Sequence, residues 1–369
     1  MGTKQILITG GDGYFGLKLA RLYLASAGNS VFLWIRASDE QEFEEKTRKL
    51  KQELHDFAGR VCYGYGDLNS EQPFDSVDPD NVHVIIHAAA VTRFNVDEET
   101  ARRTNIEGTE KLLRFADRCP AFEALGLLSS IYASGLKDGA VDEIRFGADA
   151  GFANHYEWSK WASEEVLLTG FNHLPWRIFR IATVIADDIE GRVTQQNALH
   201  NTLKLLYYGL LSMIPGNLAS PIYLVTGDFA ADSIFSLITD SPLRSIYHVA
   251  HSQGESVTLE ELIEIAFSTF NEDIDFRSSR ILRPLFCDHR SFELLVDGIS
   301  HFNDSVLNQA IASVAPFASQ MFIKKDLGNQ KLVSALHHYE APEAAQLVRN
   351  TCKYLVQTKW RRRIEHAAA

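Results

Sequence analysis

A chain of 369 residues exceeds the size at which a single core stops growing, so two lobes are expected. With 46% hydrophobic and 23% charged residues it has the composition of a soluble globular protein, and no apolar run reaches the roughly 18 residues of a membrane span. A net charge of −12 argues against a general nucleic-acid or anionic-membrane binder, because either needs a basic surface.

The first half alternates strand and helix signals. "QILITG" (5–10) and "SVFLWIR" (30–36) are short apolar runs rich in β-branched or aromatic residues, and "YFGLKLARLYLASAG" between them has helical periodicity ending at Gly28. The chain opens on the first of these strands, without the apolar stretch and cleavage site of a signal peptide. A charged helix is expected at about 39–56, then the strands "RVCYGYGD" (60–67) and "VHVIIHAAA" (82–90). "ETARRTNIEGTEKLLRFADRC" predicts one long helix, "ALGLLSSIYASG" (124–135) a strand, "NHYEWSKWASEE" a helix, and "WRIFRIATVI" (176–185) a strand. Such alternation implies a parallel sheet covered on both faces.

Beyond about residue 188 "NALHNTLKLLYYGLLSMIPG" predicts a long amphipathic helix ended by Pro215–Gly216; its Leu206–Leu211 stripe reads as core or as an acyl channel. "IYLVTGDFAADSIFSLI" and "SIYHVAHSQG" are expected to return to the sheet, and the remainder is mainly helical. The fold class is therefore α/β, a doubly wound parallel Rossmann sheet with a smaller, mainly helical C-terminal substrate lobe. Residues 1–250 are assigned to the first, with 188–221 contributing to the substrate lobe, and 251–369 to the second. The four cysteines, Cys62, Cys119, Cys287 and Cys352, show no CxxC and no metal spacing, and read as reduced thiols of a cytoplasmic protein.

"LITGGDGYFG" places Gly10, Gly13 and Gly16 between a strand and a helix. They allow a tight turn, close backbone approach to a pyrophosphate and close helix packing, and the helix N-terminus faces the anion. Arg36 ends the second strand, where an adenosine ribose lies in such folds. An arginine there forks onto a 2′-phosphate, which points to NADPH, with Lys46 as a second phosphate contact. In the alternative, Arg36 stacks on the adenine and Asp39 binds the ribose diol of NAD.

Tyr156 and Lys160 stand four residues apart on a helix. With 12 tyrosines and 14 lysines in the chain, chance supplies roughly 0.5 such pair, and a second, Tyr14–Lys18, does occur. Tyr14–Lys18 lies inside the phosphate loop with no upstream strand to supply a partner. Tyr156–Lys160 follows a strand that ends in two hydroxyls, Ser129 and Ser130.

In order along the chain, the loop Thr9–Gly16, "GDL" at Gly66–Leu68, "HAAA" at His87–Ala90, Asn105, Ser130, Tyr156 and Lys160 resemble the extended short-chain dehydrogenase/reductase family. "WIRAS", "HAAAVTRFN", "TNIEGTEKLL" and "SKWASEEVL" look most like its thioester reductase and fatty acyl-CoA reductase branch. The resemblance implies an oxidoreductase with Ser130, Tyr156, Lys160 and Asn105 as catalytic residues. It implies cofactor contacts from Thr9, Gly10, Gly13, Tyr14, Phe15, Gly16, Asp67, Leu68, Ala88 and Ala89, besides Tyr156 and Lys160. Two departures stand out: Ile181 follows Arg180 where the family often has proline, and Asp12 replaces a small or hydroxylic loop residue.

In this reading Ser130 donates to the substrate carbonyl oxygen, Tyr156 supplies the proton and Lys160 holds the nicotinamide ribose. Asn105 supports a water or backbone link to Lys160. A cation about 4 Å from the phenol in a half-screened site stabilises phenolate by roughly 4 kcal/mol, so Lys160 is expected to lower the pKa of Tyr156. His87, at a buried strand end, reads as a packed residue rather than a base.

The expected substrate is an acyl thioester on a carrier protein or coenzyme A, reduced by two electrons to an aldehyde or by four to an alcohol. The same triad also serves reductases, dehydrogenases and epimerases of ketones, sterol-like compounds or sugar nucleotides; a cofactor-binding sensor without turnover is a third reading. The cluster Lys359–Arg363, with Lys324 and Lys325, offers a positive patch for a negatively charged carrier; its alternative is a solvated helix end.

Overall fold

The computed structural model describes residues 3–300 and 315–360. Its first half runs β1 (Lys4–Thr9), α1 (Tyr14–Ala25), β2 (Asn29–Arg36), α2 (Glu40–Glu53), β3 (Val61–Gly66), β4 (Val82–His87), α3 (Glu98–Ala101), α4 (Gly108–Ala116) and β5 (Ala124–Ser130). It continues through β6 (Gly139–Val141), α5 (His155–Gly170), β7 (Trp176–Ile181), β8 (Thr183–Ala186), α6 (Ala198–Tyr207), β9 (Met213–Pro215), β10 (Pro221–Ile222), β11 (Leu224–Thr226) and α7 (Gly227–Asp240). β12 (Ser245–Val249), β13 (Val257–Thr258), α8 (Leu259–Phe270), α9 (Ile274–Ser279), β14 (Leu285–Cys287), α10 (His289–Ser300) and β15 (Lys325–Leu327) follow, with further helices at Gln330–Ala335 and Ala344–Gln357.

Seven strands form one parallel sheet in the order β12-β7-β5-β4-β1-β2-β3. The chain winds outward one way from β1 and the other way from β4, so a crevice opens at their carboxyl ends. Alternation along the strands explains how both faces are covered. Ile6, Ile8, Leu33 and Phe179 bury against Leu19 and Leu24 of α1 and Ile234 and Ile238 of α7. Leu7, Ile85, Leu125 and Ile178 bury on the other face with Leu112 and Leu113 of α4 and Leu167 of α5. A separate cluster joins Ile185, Leu203, Leu206 and Leu224 to α8, Phe276 and the helix Ala344–Gln357.

Several boundaries differ from the periodic reading. The helix at 198 stops at Tyr207, because Gly209 takes φ +67° and turns the chain, and Met213–Pro215 pairs as a strand with β14. Leu206 and Leu211 are core residues of the separate cluster. The 176–185 run breaks at Ala182: β7 stays in the main sheet while β8 pairs with β11. Of the two segments expected to return to the sheet only β12 joins it, since β10 pairs with β13. The helix from 98 to 116 contains a π-turn at Arg102–Glu107, where the Gly108 N–H reaches back five residues to the Arg103 carbonyl.

Candidate active site

The glycine loop sits in the crevice. Gly10 has φ +68°, and a Cβ there would lie 3.0 Å from the Ala89 backbone. At Gly16 a Cβ would come within 2.1 Å of the Gly10 carbonyl oxygen, so only glycine lets α1 start this close to β1. α1 has no acidic residue in its first turn and no side-chain cap, leaving its first N–H groups free for an anion. These features fit a dinucleotide pyrophosphate. Thr9 supports the loop from behind: its buried hydroxyl accepts from Ala89 N at 3.2 Å and bonds His87 Nδ1 at 2.7 Å. Phe15 packs partly into the sheet core beside it.

At the adenosine end, Arg36 is exposed at the tip of β2 and its guanidinium has no hydrogen bond or ion pair among the described residues. Its charge, with that of Lys46, acts on Asp12 in the glycine loop. Lys46 Nζ donates to the Arg36 carbonyl at 2.7 Å and pairs with Glu42 at 2.7 Å, which leaves one of its three protons. Asp39 is committed as the N-cap of α2, accepting from Glu42 N at 2.9 Å and from the Ser38 hydroxyl at 3.3 Å. Asp67 closes its own turn onto Asn69 N, Leu68 is buried against Gly108, and Ala88 and Ala89 follow β4 beside the loop.

The residues expected to be catalytic come together where β5 ends and α5 begins. Alternation sends the two serines to different partners: Ser129 Oγ donates to Glu164 at 2.5 Å, whereas Ser130 Oγ accepts from Tyr132 N at 3.3 Å and lies beside the Tyr156 hydroxyl, whose pKa it lowers. Asn154 caps α5 through Glu157 N at 3.0 Å, which fixes Tyr156 in the first turn and Lys160 one turn later.

The electrostatics correct one expectation. Burial pushes the Tyr156 phenol up to about 12, with the Ser130 hydrogen bond pulling the other way. Lys160 does not lower it: the ammonium donates to the Leu128 carbonyl at 3.0 Å and, brought down to about 8, has lost its proton before a phenol at about 12 would ionise. Burial in turn brings Lys160 down to about 8, opposed by the Glu164 carboxylate.

Asn105 lies in the π-turn. It brackets Val91 through N at 2.8 Å and O at 3.0 Å, and donates to Ser159 Oγ at 2.8 Å, next to Lys160. A cavity of about 10 Å³ lined by His87, Asn105, Lys160 and Ser163 has room for one water between Asn105 and Lys160. His87 is buried between the Thr9 and Thr109 hydroxyls, and burial lowers it to about 3, so it stays neutral and packed.

Other sequence features settle differently. Arg180 is wholly buried, forked onto Glu164 with a shortest separation of 2.6 Å and lying over the Phe146 ring at 4.3 Å; it braces α5 rather than facing the crevice. Lys325 is also buried, donating to Ser134 Oγ at 2.8 Å, so it is no part of a surface patch. Arg361–Arg363 lie outside the described residues. Sequence reasoning missed Phe94, which packs on Tyr156, and Glu157, Tyr132, Phe317 and Gln320, which are linked to that pair or to its neighbours. Glu157 and Phe94 stood inside quoted motifs; Phe317 and Gln320 carried no local signal.

Comparison with known proteins accords with this arrangement. Residues 8–234 match the male sterility protein family, an NAD-binding domain. The chain is 24% identical to a linear gramicidin synthase of Brevibacillus parabrevis over 87% of its length, and 22% identical to the fatty acyl-CoA reductase wat of Drosophila melanogaster over 75%. It spans only 7% of the former and 62% of the latter. The crystal structure of the terminal R domain from the myxalamid PKS-NRPS biosynthetic pathway superposes with a TM-score of 0.79 at 19% identity, covering 98% of this chain and 92% of that one. A glycine loop that fits a dinucleotide pyrophosphate, a tyrosine–lysine pair at the carboxyl edge of a parallel sheet and a family match over more than half the chain converge: the chain belongs to the male sterility protein family of NAD(P)-dependent extended short-chain dehydrogenase/reductases.

Proposed function

We propose that this chain reduces an acyl thioester, carried by an acyl or peptidyl carrier protein or by coenzyme A, with NADPH. The observation that carries the reading is the Ser130–Tyr156 contact with Lys160 one turn away, beside the glycine cradle of a family whose relatives include a fatty acyl-CoA reductase. Bound NADPH supplies the hydride, which adds to the thioester carbonyl carbon. Ser130 and Tyr156 hold the carbonyl oxygen, and the Tyr156 proton passes to it as negative charge develops. A phenol pushed up to about 12 stays protonated at neutral pH and so holds the proton that this transfer needs. The hemithioacetal hydroxyl returns its proton to Tyr156 as the C–S bond breaks, releasing the aldehyde and a thiolate that takes a proton from solvent; a second NADPH and a further proton would give the alcohol. Asn105 orders Ser159 and the water-sized cavity beside Lys160.

Preference for NADPH is supported by the unpaired guanidinium of Arg36 and by Asp39, whose carboxylate is already used as a helix cap. We assign residues 1–250 to the cofactor-binding unit and 251–369, with 188–221, to the substrate lobe; the separate apolar cluster unites parts of those segments. No helix among the described residues is long and apolar enough to cross a membrane, and all four cysteines are free, which fits the cytoplasmic setting we propose.

The test is NADPH oxidation against acyl-pantetheine, acyl-CoA, ketone and sugar-nucleotide substrates, with the aldehyde trapped chemically. Turnover confined to the thioesters is expected. Turnover of a ketone or sugar nucleotide with the thioesters inert would overturn the reading.

A further inference from the structure

One ring touches Tyr156 and two more pack behind it. Phe94 meets Tyr156 edge-on, with centroids 5.3 Å apart and planes at 86°. Its other neighbour is Phe317 at 4.9 Å, and Phe317 meets Tyr132 edge-on at 5.0 Å. Tyr132 closes the circuit onto Phe94 at 6.0 Å. The Tyr132 hydroxyl is bonded to Thr183 Oγ1 at 3.0 Å, so what this set adds beside Tyr156 is mainly hydrocarbon.

Phe94 and Tyr132 belong to the loops after β4 and β5, but Phe317 comes from the short 3-10 segment Ala315–Phe322, far along the chain. Buried polar bonds fix that segment to both reacting loops. Asn154 Nδ2 donates to the Pro316 carbonyl at 3.0 Å, and Gln320 Nε2 donates to Glu157 at 2.8 Å and to the Gly135 carbonyl at 3.1 Å. Lys325 Nζ adds bonds to Ser134 Oγ at 2.8 Å and to the Gly135 carbonyl. Asn154 and Glu157 bracket Tyr156, while Ser134 and Gly135 end the turn that follows Ser130. Glu157, Gln320 and Lys325 are all buried, so breaking these bonds would strand polar groups away from water. Phe317 is thereby held in place as a fixed surface.

We propose that Phe317 is a specificity-determining residue: with Phe94 and Tyr132 it forms the wall along which the acyl group lies beside Tyr156, and it limits the length and bulk of that group. The inference rests on the thioester reading above and adds the chemical class of the acyl group, an apolar one. An aliphatic chain gains by contact with such a surface, whereas a chain too long for the space must displace a ring whose segment is pinned by buried bonds.

The experiment measures kcat/KM for N-acetylcysteamine thioesters from acetyl through hexanoyl to dodecanoyl, with the wild type, Phe317→Ala, Phe317→Leu and Phe317→Trp. The readout is the ratio of the longest to the shortest substrate, which cancels any general loss of active protein. Phe317→Ala is expected to raise that ratio at least about tenfold, Phe317→Leu less, and Phe317→Trp to lower it, since a methylene at a fitted wall is worth about 10-fold or more. NADPH affinity should stay unchanged throughout. If one variant fails to fold, the other two read the same ratio. A wild type that reduces these thioesters while all folded variants keep its ratio within about twofold overturns the wall alone. A wild type that reduces none of them overturns the thioester reading and this inference with it.

Discussion

Two tyrosine–lysine pairs with the same spacing sit on two helices of this chain, and they meet opposite fates. On α1 the Tyr14 hydroxyl donates to Asp187 at 2.6 Å, and Lys18 pairs with Asp228 at 2.6 Å while lying 5.3 Å from the Tyr14 ring. Burial and the Asp187 hydrogen bond drive the Tyr14 phenol far above its ordinary range, so it neither gives up its proton nor faces a hydroxyl partner. On α5 the Tyr156 hydroxyl lies beside Ser130, and among the described residues Lys160 bonds only a backbone carbonyl, with no carboxylate paired to it. Identical spacing thus gives a structural brace in one place and an available acid in the other. What separates them is the strand end delivered beside each helix: acidic residues after β8, a serine at the end of β5.

The sharpest way to break this contrast is to remove both phenols in turn. Tyr156→Phe keeps the ring but takes the transferable proton, so turnover should fall at least about 100-fold with NADPH affinity retained. Tyr14→Phe should leave kcat within a small factor. Steady-state kinetics on one thioester checks both, and equal losses would erase the distinction.

Cofactor binding can be perturbed without touching either pair. Arg36→Ala is expected to weaken NADPH binding by about 1.5–3 kcal/mol, because a charge-assisted fork to the 2′-phosphate is lost, while NADH binding barely changes. Titration with both cofactors decides this; parallel losses would favour a stacking role for Arg36.

The lysines offer a pH test. Lys160 is lowered to about 8 from an ordinary 10.5, so its cation is lost as pH rises through about 8. If that cation is needed, kcat/KM for reduction should fall by up to about tenfold per pH unit above that value. Stability has the opposite slope. Between about 8 and 10.5 the unfolded lysine holds a proton that the folded one has released, so folding should become more favourable as pH rises through that window. Lys160→Met should flatten both trends in a pH series of kinetics and urea melts. A wild-type rate level to well above pH 9 would contradict this role.

The smallest effect belongs to the structural pair. Tyr14→Phe deletes one hydrogen bond to Asp187, which retains the Thr194 hydroxyl at 3.0 Å, so a stability loss of about 1 kcal/mol is expected in urea denaturation. A loss below the error of the melts would mean that Tyr14 contributes only its ring.

Local spacing by itself determined a good deal. Strand, glycine turn and helix at the start of the chain are written in neighbouring residues, because φ at Gly10 and the contact at Gly16 depend on atoms within a few positions or on the adjacent strand. The helical period likewise put Tyr156 and Lys160 one turn apart, and apolar strands covered on both faces implied the parallel sheet. Tertiary structure alone decided which of Ser129 and Ser130 faces the phenol, that Lys325 is buried rather than exposed, and that Phe317 packs against Tyr132, 185 positions earlier in the sequence. It also reversed the expected direction of the Tyr156 pKa, since desolvation sums over everything packed around a group while spacing names a single neighbour. Helix ends such as Tyr207 and the strand break at Ala182 belong to the same class: propensity favoured continuation, but pairing of β8 with β11 and of β9 with β14 stabilised the alternatives. Residues close in sequence share a backbone geometry that pattern can express; burial and partner choice are set by segments that meet only after the chain has folded.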